Sequence, residues 1–386
     1  MERNWLHERL RAITPLRLAV RRVRGTIAPY RLRDWSLRGA ERSSGAPLAL
    51  GLCGQLGSKQ YFAHLAFGRV EQERERRRRW IQEVLLPAAR TPAPFDVLAL
   101  DVPRFLYERY RGPVHSQPEA GLFCIPSWVR GEIELPGAAA AARLPETLRT
   151  DLKLVERNGF GWRITREPAL FDWFYEHMYL PYLLRTHGPR ALPTTRQEML
   201  EQQPRAELML IHRNGVDVAG LMLIRHPTHA HAWALGVLDG EHAHVKAGAL
   251  AAVYRFACQY SWSLGYRTID MGMSRPFLND GVLQYKKKWG LRLTTPNERL
   301  YVLRFEPRSE AARAFLQRNP FLYERDGGLH GAVFLAPSEA DDPQARARLH
   351  KKCFFPGIAT LDFFLLTPDG IHRLESCAAP PEAART

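Results

Sequence analysis

The 386-residue sequence predicts an α/β protein whose mixed sheet carries helices on its flanks. Two observations lead to this fold class. Between residues 205 and 305, three apolar strand segments are followed by a helix, a strand, a loop, a short helix and a last strand. Earlier, residues 47–127 alternate strand-like and helix-like segments in the order β-α-β-α-β. Because the chain exceeds the size of one ordinary core, we expect more than one lobe.

Composition favours a globular protein in the cytoplasm. Hydrophobic residues make up 45% of the chain and charged residues 25%, which is typical of soluble domains. We find no apolar run long enough to cross a bilayer and no signal-peptide pattern. Five scattered cysteines without a CxxC pair argue against a disulfide framework or a zinc ribbon, and Cys258 is expected in the core.

A net charge of +15 predicts an anionic partner. A tRNA, a phosphate-bearing coenzyme, an acidic carrier protein and an anionic membrane surface all satisfy this condition. Residues 1–44 are expected to form a basic N-terminal arm, which either rests on a membrane or nucleic acid or is a solvated tail.

Residues 45–140 are expected to form a small N-terminal α/β lobe. A buried strand at PLALGLCG is followed by a predicted long helix from Lys59 to about Leu86 and a second strand at FDVLALD. The charged run EQERERRRR, within that helix, is interpreted first as a solvated face and second as a nucleic-acid contact.

Residues 141–305 are expected to form the main domain, and residues 306–386 a C-terminal extension without an assigned role. The main domain opens with the helix LPETLRTDLKLVERNG. One face of this helix carries a ridge of cations that either faces solvent or binds phosphate, namely Arg149, Lys153 and Arg157. Asn214-Gly215 predicts a tight hairpin, and a long helix over residues 243–264 precedes a strand over 268–271.

The segment RTIDMGMSRPFLNDGVLQYKKKWG, residues 267–290, carries the main candidates for chemistry. Asp270 is expected at a strand end, and Lys286 is expected to reach into the same solvated cleft, which would place a proton acceptor and a cation near a reacting group. The alternative is that Asp270 caps the loop and the lysines form a solvated face. His226, His229 and His231 lack a Cys or an acid that completes a metal-ligand set, so no metal is expected, and a histidine of this group is a candidate base.

The chain resembles the GNAT superfamily, and more narrowly its Fem-like and CelD-like branch. The resemblance covers roughly residues 95–305 and rests on the order and spacing of four segments: LPETLRTDLKLVERNG, NGVDVAGLML, the helix ending in LGYRTIDMGMS, and QYKKKWG. It implies a GNAT-like mixed sheet with flanking helices and allows a degenerate tandem of two GNAT-like lobes. It also implies an N-acyltransferase that moves an acyl or aminoacyl group from an activated donor to an amine, in modification of the cell envelope, a polysaccharide or a peptide.

The resemblance also assigns roles to residues. The lysine of the aromatic-lysine pair corresponds to Lys286 after Tyr285, and the strand-end acid corresponds to Asp270. The backbone at Gly236, Val237 and Leu238 corresponds to the segment that binds the oxyanion.

The coenzyme-binding turn of thioester-using relatives is represented only by Lys246 and Gly248. No tightly bound cofactor is therefore expected. Acyl-coenzyme A, acyl carrier protein or aminoacyl-tRNA would serve as the acyl donor, with the two large anions favoured. The rival hypothesis is a non-catalytic, basic GNAT-like module that binds RNA or an envelope-synthesis complex.

Overall fold

The structure is a computed structural model, and it describes residues 31–76, 78–88, 95–136, 145–188, 191, 193–296, 298–306 and 308–378. Three sheets with flanking helices confirm the predicted mixed α/β class. The strands of the described residues are β1 (Arg31–Glu41), β2 (Pro47–Gly54), β3 (Phe67–Glu75), β4 (Arg79–Trp80), β5 (Val97–Pro103), β6 (Leu122–Pro126), β7 (Val129–Glu134), β8 (Gly161–Thr165), β9 (Ala206–Arg213), β10 (Val216–Arg225), β11 (Ala230–Val237), β12 (Thr268–Ser274), β13 (Arg292–Pro296), β14 (Arg299–Phe305), β15 (Phe321–Arg325), β16 (Gly328–Leu335), β17 (Thr360–Thr367) and β18 (Gly370–Ala378).

The α-helices of the described residues flank these sheets, and a π-helical turn at Tyr175–Tyr179 joins the fifth to the sixth. They are α1 (Leu56–Ala66), α2 (Ile81–Ala88), α3 (Arg104–Arg111), α4 (Glu146–Arg157), α5 (Pro168–Phe174), α6 (Leu180–His187), α7 (Arg196–Gln202), α8 (His242–Lys246), α9 (Ala249–Ser263), α10 (Gly281–Lys288), α11 (Glu310–Arg318), α12 (Pro337–Ala340) and α13 (Pro343–Cys353). None of these helices is long and apolar enough to span a bilayer.

The N-terminal and central sheets repeat one topology. The N-terminal sheet has the order β3-β1-β2-β5-β14-β6, with β4 beside β1, and the central sheet has the order β13-β7-β12-β11-β10-β9-β8. Each contains one parallel pair, β2 with β5 and β11 with β12. Helices lie in the connection of each pair: α1 and α2, together with β3 and β4, between β2 and β5, and α8 and α9 between β11 and β12. Each sheet then continues with two antiparallel strands, β14 and β6 beyond β5, and β7 and β13 beyond β12. This repetition is the arrangement expected of a tandem of two related lobes.

The two lobes exchange strands. β7 precedes the expected boundary at residue 140 but lies between β12 and β13 in the central sheet. β14 comes from the expected main domain but lies between β5 and β6 in the N-terminal sheet. The expected division into 45–140 and 141–305 therefore does not match the sheets, although the boundary residue itself lies outside the described residues.

Two further expectations about the N-terminal region need correction. The predicted helix from Lys59 to Leu86 ends at Ala66, and most of the charged run forms the exposed strand β3, which pairs with β1. Glu and Arg favour helices locally, but this pairing outweighs that preference, and their charges suit an exposed edge strand. Residues 31–41 of the expected arm form β1, which buries Trp35; residues 1–30 lie outside the described residues.

The C-terminal sheet, in the order β15-β16-β17-β18, is the layer between the two larger sheets. Val333 and Phe363 pack into the core of the central sheet, whereas Phe334 and Phe364 pack into the core of the N-terminal sheet. Burial on both faces explains why β16 and β17 are almost continuously apolar. It gives residues 308–378 a structural role that the sequence did not assign.

Arg275, just beyond β12, joins the central lobe to the N-terminal one. Its guanidinium lies 4.2 Å from the ring centroid of Tyr61 on α1 and 3.8 Å from that of Trp128. It also donates a hydrogen bond to the Tyr301 hydroxyl on β14, at 2.7 Å. The end of β12 is therefore held against the N-terminal lobe by stacking and by a charged hydrogen bond.

Candidate active site between two diverging strands

The parallel strands β11 and β12 pair only at their beginnings. Ala230 faces Ile269 and His231 faces Asp270, after which the strands part. Since β11 continues to Val237, its edge from residue 232 onward has no β12 partner. The two strands therefore diverge beyond His231 and Asp270, and we call the space between β12 and β11, from residue 232 onward, the gap.

A bulge in each strand accompanies this divergence. On β11, Trp233 is the extra residue, because Met222 of β10 faces Ala234 while Leu223 faces Ala232. On β12, the two residues between Asp270 and Met273 lie opposite a single residue of β7, Gly131, and Gly272 within this bulge has φ +70°. Such bulges bend strands and redirect their side chains.

The Asp270 carboxylate fixes the bulge of β12 by accepting the N–H group of Gly272. The side chain is 2% exposed, its Oδ1 accepts the N–H of Gly272 at 2.7 Å, and its Oδ2 accepts Nη1 of Arg130 at 2.9 Å. The expectation of a strand-end acid is wrong in detail, because β12 continues to Ser274. Asp270 lies at the third position of β12, at the closed end of the gap.

The Lys286 amine fixes the same bulge by binding the carbonyl groups of the bulge residues. Its Nζ donates to the carbonyls of Gly272 and Met273, at 3.2 and 3.1 Å, and to the hydroxyl of Ser274 at 2.9 Å. The residue is 5% exposed, and burial lowers the pKa of its amine to about 8. The expected solvated cleft around Lys286 is therefore wrong. Asp270 and Lys286 instead bind the two polar backbone groups of one glycine and fix the wall of the gap.

The other two lysines of the run bind other elements. Lys287 donates to the backbone carbonyls of Lys351 and Lys352 at the end of α13, at 2.7 and 2.8 Å, and burial lowers its pKa to about 8. Lys288 forms an ion pair with Asp151 on α4. The expected solvated lysine face is thus replaced by three separate attachments of α10, to β12, α13 and α4.

Tyr285 packs away from the bulge of β12. Its ring meets that of Tyr254 on α9 edge to face, with centroids 5.2 Å apart, and Lys288 Nζ lies 4.5 Å from the Tyr285 centroid. Burial raises the pKa of the Tyr285 hydroxyl, so the phenol is neutral near pH 7. Its described contacts are those of a packing residue between α10 and α9.

His231, one of the histidines named as candidate bases, lies beside Asp270. Its side chain is 15% exposed, and Nε2 lies 3.9 Å from Asp270 Oδ2. Burial lowers the pKa of the imidazole to about 4, so His231 is neutral near pH 7. His226 and His229 stack on each other, with centroids 4.7 Å apart. Within the described part of the chain, no group of three His, Cys, Asp or Glu residues is arranged to hold a metal ion.

The predicted oxyanion segment lies at the open end of the gap. Gly236 and Val237 end β11, and Leu238 begins a 3₁₀ turn. A Cβ on Gly236 would lie 2.5 Å from the backbone of both Met178 and Tyr179, so only glycine allows the π-helical turn to pack this closely behind the strand. The packing supports β11 from behind along this segment.

The predicted donor-binding and anion-binding residues lie on three helices. Lys246, at the end of α8, and Gly248, the N-cap of α9, are the predicted donor-binding residues. Arg149, Lys153 and Arg157 are exposed on α4. The two groups meet where Nδ2 of Asn158, at the end of α4, donates to the carbonyl of Ala247 at 2.7 Å. The structure therefore places the cationic ridge next to the start of α9.

Sequence reasoning missed Arg130, Gly272 and Ser274. Arg130 reaches Asp270 only because β7 crosses into the central sheet, and no local pattern indicates that exchange. The glycine two residues after Asp270 was visible as a break in regular structure, but its role as the shared partner of Asp270 and Lys286 depends on the fold.

Neither a protein-family model nor a curated protein sequence matches the chain. Similar solved structures include the C-terminal DUF2156 domain of a candidate lysylphosphatidylglycerol synthetase from Agrobacterium fabrum, with 16% identity, 73% of this chain and 83% of that chain covered, and a TM-score of 0.35. L-PGS from Bacillus licheniformis has 12% identity, coverage of 70% and 84%, and a TM-score of 0.34. FemX has 12% identity, coverage of 69% and 88%, and a TM-score of 0.34. At these values no residue role or substrate is transferred from them.

Proposed function

We propose that the protein is a GNAT-like N-acyltransferase that moves an acyl or aminoacyl group from an activated anionic donor to an amine, within the gap between β11 and β12. The observation that carries this proposal is the unpaired edge of β11 facing the β12 bulge that Asp270 and Lys286 hold. An open strand edge offers backbone N–H groups, and the rigid opposite wall keeps a bound carbonyl in register with them.

The backbone of β11 stabilises the oxyanion in this mechanism. The amine nitrogen attacks the donor carbonyl carbon, and the negative charge that develops on oxygen is met by N–H groups of the free β11 edge, toward Gly236–Leu238. Such donors are effective because they are already oriented before the reaction. Asp270 and Lys286 act as positioning residues, since their hydrogen bonds go to the β12 backbone.

His231 accepts the proton of the attacking amine. Its imidazole is neutral near pH 7 and lies at the closed end of the gap, with the Asp270 carboxylate 3.9 Å away to stabilise the imidazolium that forms. When the tetrahedral intermediate collapses, the bond between the carbonyl carbon and the donor's oxygen or sulfur breaks. The leaving group takes the proton from His231, which returns to its neutral form.

The acyl donor is a large anion, aminoacyl-tRNA or acyl carrier protein, in this proposal. The end of α4, the helix that carries the cationic ridge, contacts Ala247 next to Lys246 through Asn158, and the net charge of +15 favours the same class. Binding of either anion should weaken steeply with salt, through counterion release for tRNA and through screening for the carrier protein.

The test uses the purified full-length chain with three labelled donors: bulk tRNA charged with radioactive amino acids, acyl carrier protein loaded with an acyl group, and acetyl-coenzyme A. Transfer to a panel of amines is measured by the appearance of labelled amide. The double charge reversal Arg149→Glu with Lys153→Glu should raise KM for the macromolecular donor more than it lowers kcat, because it removes binding rather than chemistry.

The matched control is Arg348→Glu with Lys352→Glu, an exposed pair at the same spacing on α13. It changes the net charge equally and should leave KM unchanged. Saturable turnover of micromolar acetyl-coenzyme A that is unaffected by the ridge reversal would overturn the large-anion donor. Unchanged kcat after His231→Asn would overturn the assigned proton acceptor.

A second candidate is a non-catalytic binding module for RNA or an envelope-synthesis complex. The specific observation in its favour is that the amine of Lys286 is fully occupied by β12 and is therefore not directed at a substrate. This candidate predicts salt-dependent binding of uncharged tRNA without transfer from any donor. Labelled amide from any of the three donors would exclude it.

A further inference from the structure

A cavity of about 590 Å³ opens in the N-terminal lobe, at the carboxyl ends of the parallel strands β2 and β5. The central lobe has its gap at the corresponding parallel pair, so the cavity occupies the equivalent place in the repeated topology. Its volume lies within the range of about 300–1,000 Å³ that is typical of small-molecule sites. Its lining differs from that of the gap, because it is rich in arginine.

Among the described residues, four arginines line the cavity: Arg31, Arg33, Arg78 and Arg299. Two of them are held in place by carboxylates. Arg33 pairs with Glu75 at 2.8 Å, and Arg299 pairs with the buried Asp101 at 2.8 Å. Arg31 and Arg78 are exposed and bring positive charge beyond these pairs, and Glu298 is the one acid among the described lining residues.

The start of α1 lies at the cavity wall, since Gln55 and Leu56 both line the cavity. The buried Asp101 carboxylate already binds this helix start, because its Oδ2 accepts the Gln55 N–H at 3.4 Å and the Ser58 hydroxyl at 2.7 Å. A carboxylate at this position offsets the partial positive charge of the helix start. The arginines therefore supply the positive field of the cavity.

The remaining wall is apolar and exposed. Phe105 is 57% exposed and Leu56 is 45% exposed, although both are large hydrophobic side chains. They line the same cavity as the arginines. An occupant that covers both must combine an anionic group with an apolar or planar part.

We propose that this cavity binds a small organic phosphate, with the phosphate near Arg31 and Arg78, and the apolar or planar part against Phe105 and Leu56. The proposal is independent of acyl transfer, because the cavity belongs to the N-terminal lobe and shares no residue with the gap between β11 and β12.

Isothermal titration calorimetry on the full-length chain tests the proposal with three probes. Adenosine diphosphate carries a planar ring, octyl phosphate below its micellar concentration carries an aliphatic chain, and inorganic pyrophosphate carries neither. At least one organic phosphate should bind tenfold or more tightly than pyrophosphate. The probe that does so identifies whether the non-phosphate part is planar or aliphatic.

Two variants locate the binding. Arg31→Ala with Arg78→Ala should weaken that organic phosphate at least tenfold, and Phe105→Ala should reduce its advantage over pyrophosphate. All three substituted side chains are exposed, so the fold should tolerate the changes.

Because a chain with a net charge of +15 attracts anions at many points, the double substitution Arg348→Ala with Lys352→Ala on α13 is the control. It removes the same charge and should leave affinity unchanged. The proposal is overturned if neither organic phosphate binds more tightly than pyrophosphate. It is also overturned if the cavity variant and the control weaken binding equally, or if the cavity variant binds as the wild type does.

Discussion

Replacing Lys286 tests directly whether its amine fixes the bulge of β12. Lys286→Met keeps most of the volume but leaves the acceptors on Gly272, Met273 and Ser274 without their donor. At about 1 kcal/mol per hydrogen bond, this loss is roughly 3 kcal/mol. Removing the buried charge offsets it, since lowering the pKa of Lys286 from its ordinary value to about 8 corresponds to about 3 kcal/mol. The methionine variant should therefore unfold with nearly the free energy of the wild type.

Lys286→Ala removes the same hydrogen bonds and also leaves a cavity. Replacing a buried side chain of methionine size by alanine costs about 2–5 kcal/mol, so the alanine variant should be less stable than the methionine variant by that amount. Urea unfolding followed by far-UV circular dichroism at pH 7 measures both free energies. Lys288→Ala is the control, and losing its partly exposed ion pair with Asp151 should cost less than about 1 kcal/mol. An alanine variant at Lys286 within 1 kcal/mol of the wild type would mean that this side chain lies in solvent and does not support β12.

Three other predictions concern the same region. Because burial lowers the pKa of Lys286 to about 8, this residue binds more protons in the unfolded chain than in the folded one between that pH and the ordinary lysine pKa. The contribution of Lys286 to the unfolding free energy should therefore rise with pH in this window by about 3 kcal/mol. In urea titrations the rise should be smaller by that amount in Lys286→Met than in the wild type, whereas parallel curves would contradict the prediction. Gly272→Ala should lower the unfolding free energy by at least about 1 kcal/mol, because φ +70° is strained for alanine. The new Cβ would also lie 3.3 Å from the carbonyl oxygen of Ala232. Thermal unfolding measures the loss, and Gly281→Ala, whose Cβ meets nothing within 4 Å, is the control. Arg275→Met should cost about 2 kcal/mol through the lost stacking and hydrogen bond, and an unchanged melting temperature would show that Arg275 does not hold the lobes together.

The parts of the fold that were predicted correctly depend on local patterns. The apolar face of α9, with Cys258 buried in it, and the Asn214-Gly215 turn between β9 and β10 follow from residues close together in the chain. The charged strand β3 was missed because only its pairing with β1 opposes the helix preference of its residues. Pairing partners distant in sequence leave no local signal in a single chain.

The sequence singled out Asp270 and Lys286 as candidate site residues but did not predict the geometry around them. The structure brings both side chains to the same bulge. Three consecutive lysines are usually solvated, however, so the burial of Lys286 could not be inferred from composition. The contribution of Arg130 depends on strand exchange and was equally inaccessible from the sequence.

The exchange of β7 and β14 constrains the order in which the molecule can form during synthesis. β5 is synthesised early, but its neighbour β14 spans Arg299–Phe305. The N-terminal sheet therefore cannot close until Phe305, the pairing partner of Val97, has been synthesised. β7 likewise waits for β12 and β13. Long closures of this kind slow folding, because their entropy cost comes before the contacts that compensate it. The nascent N-terminal lobe therefore presents an open β5 edge during most of translation, and a chain released before residue 305 has no strand to cover it.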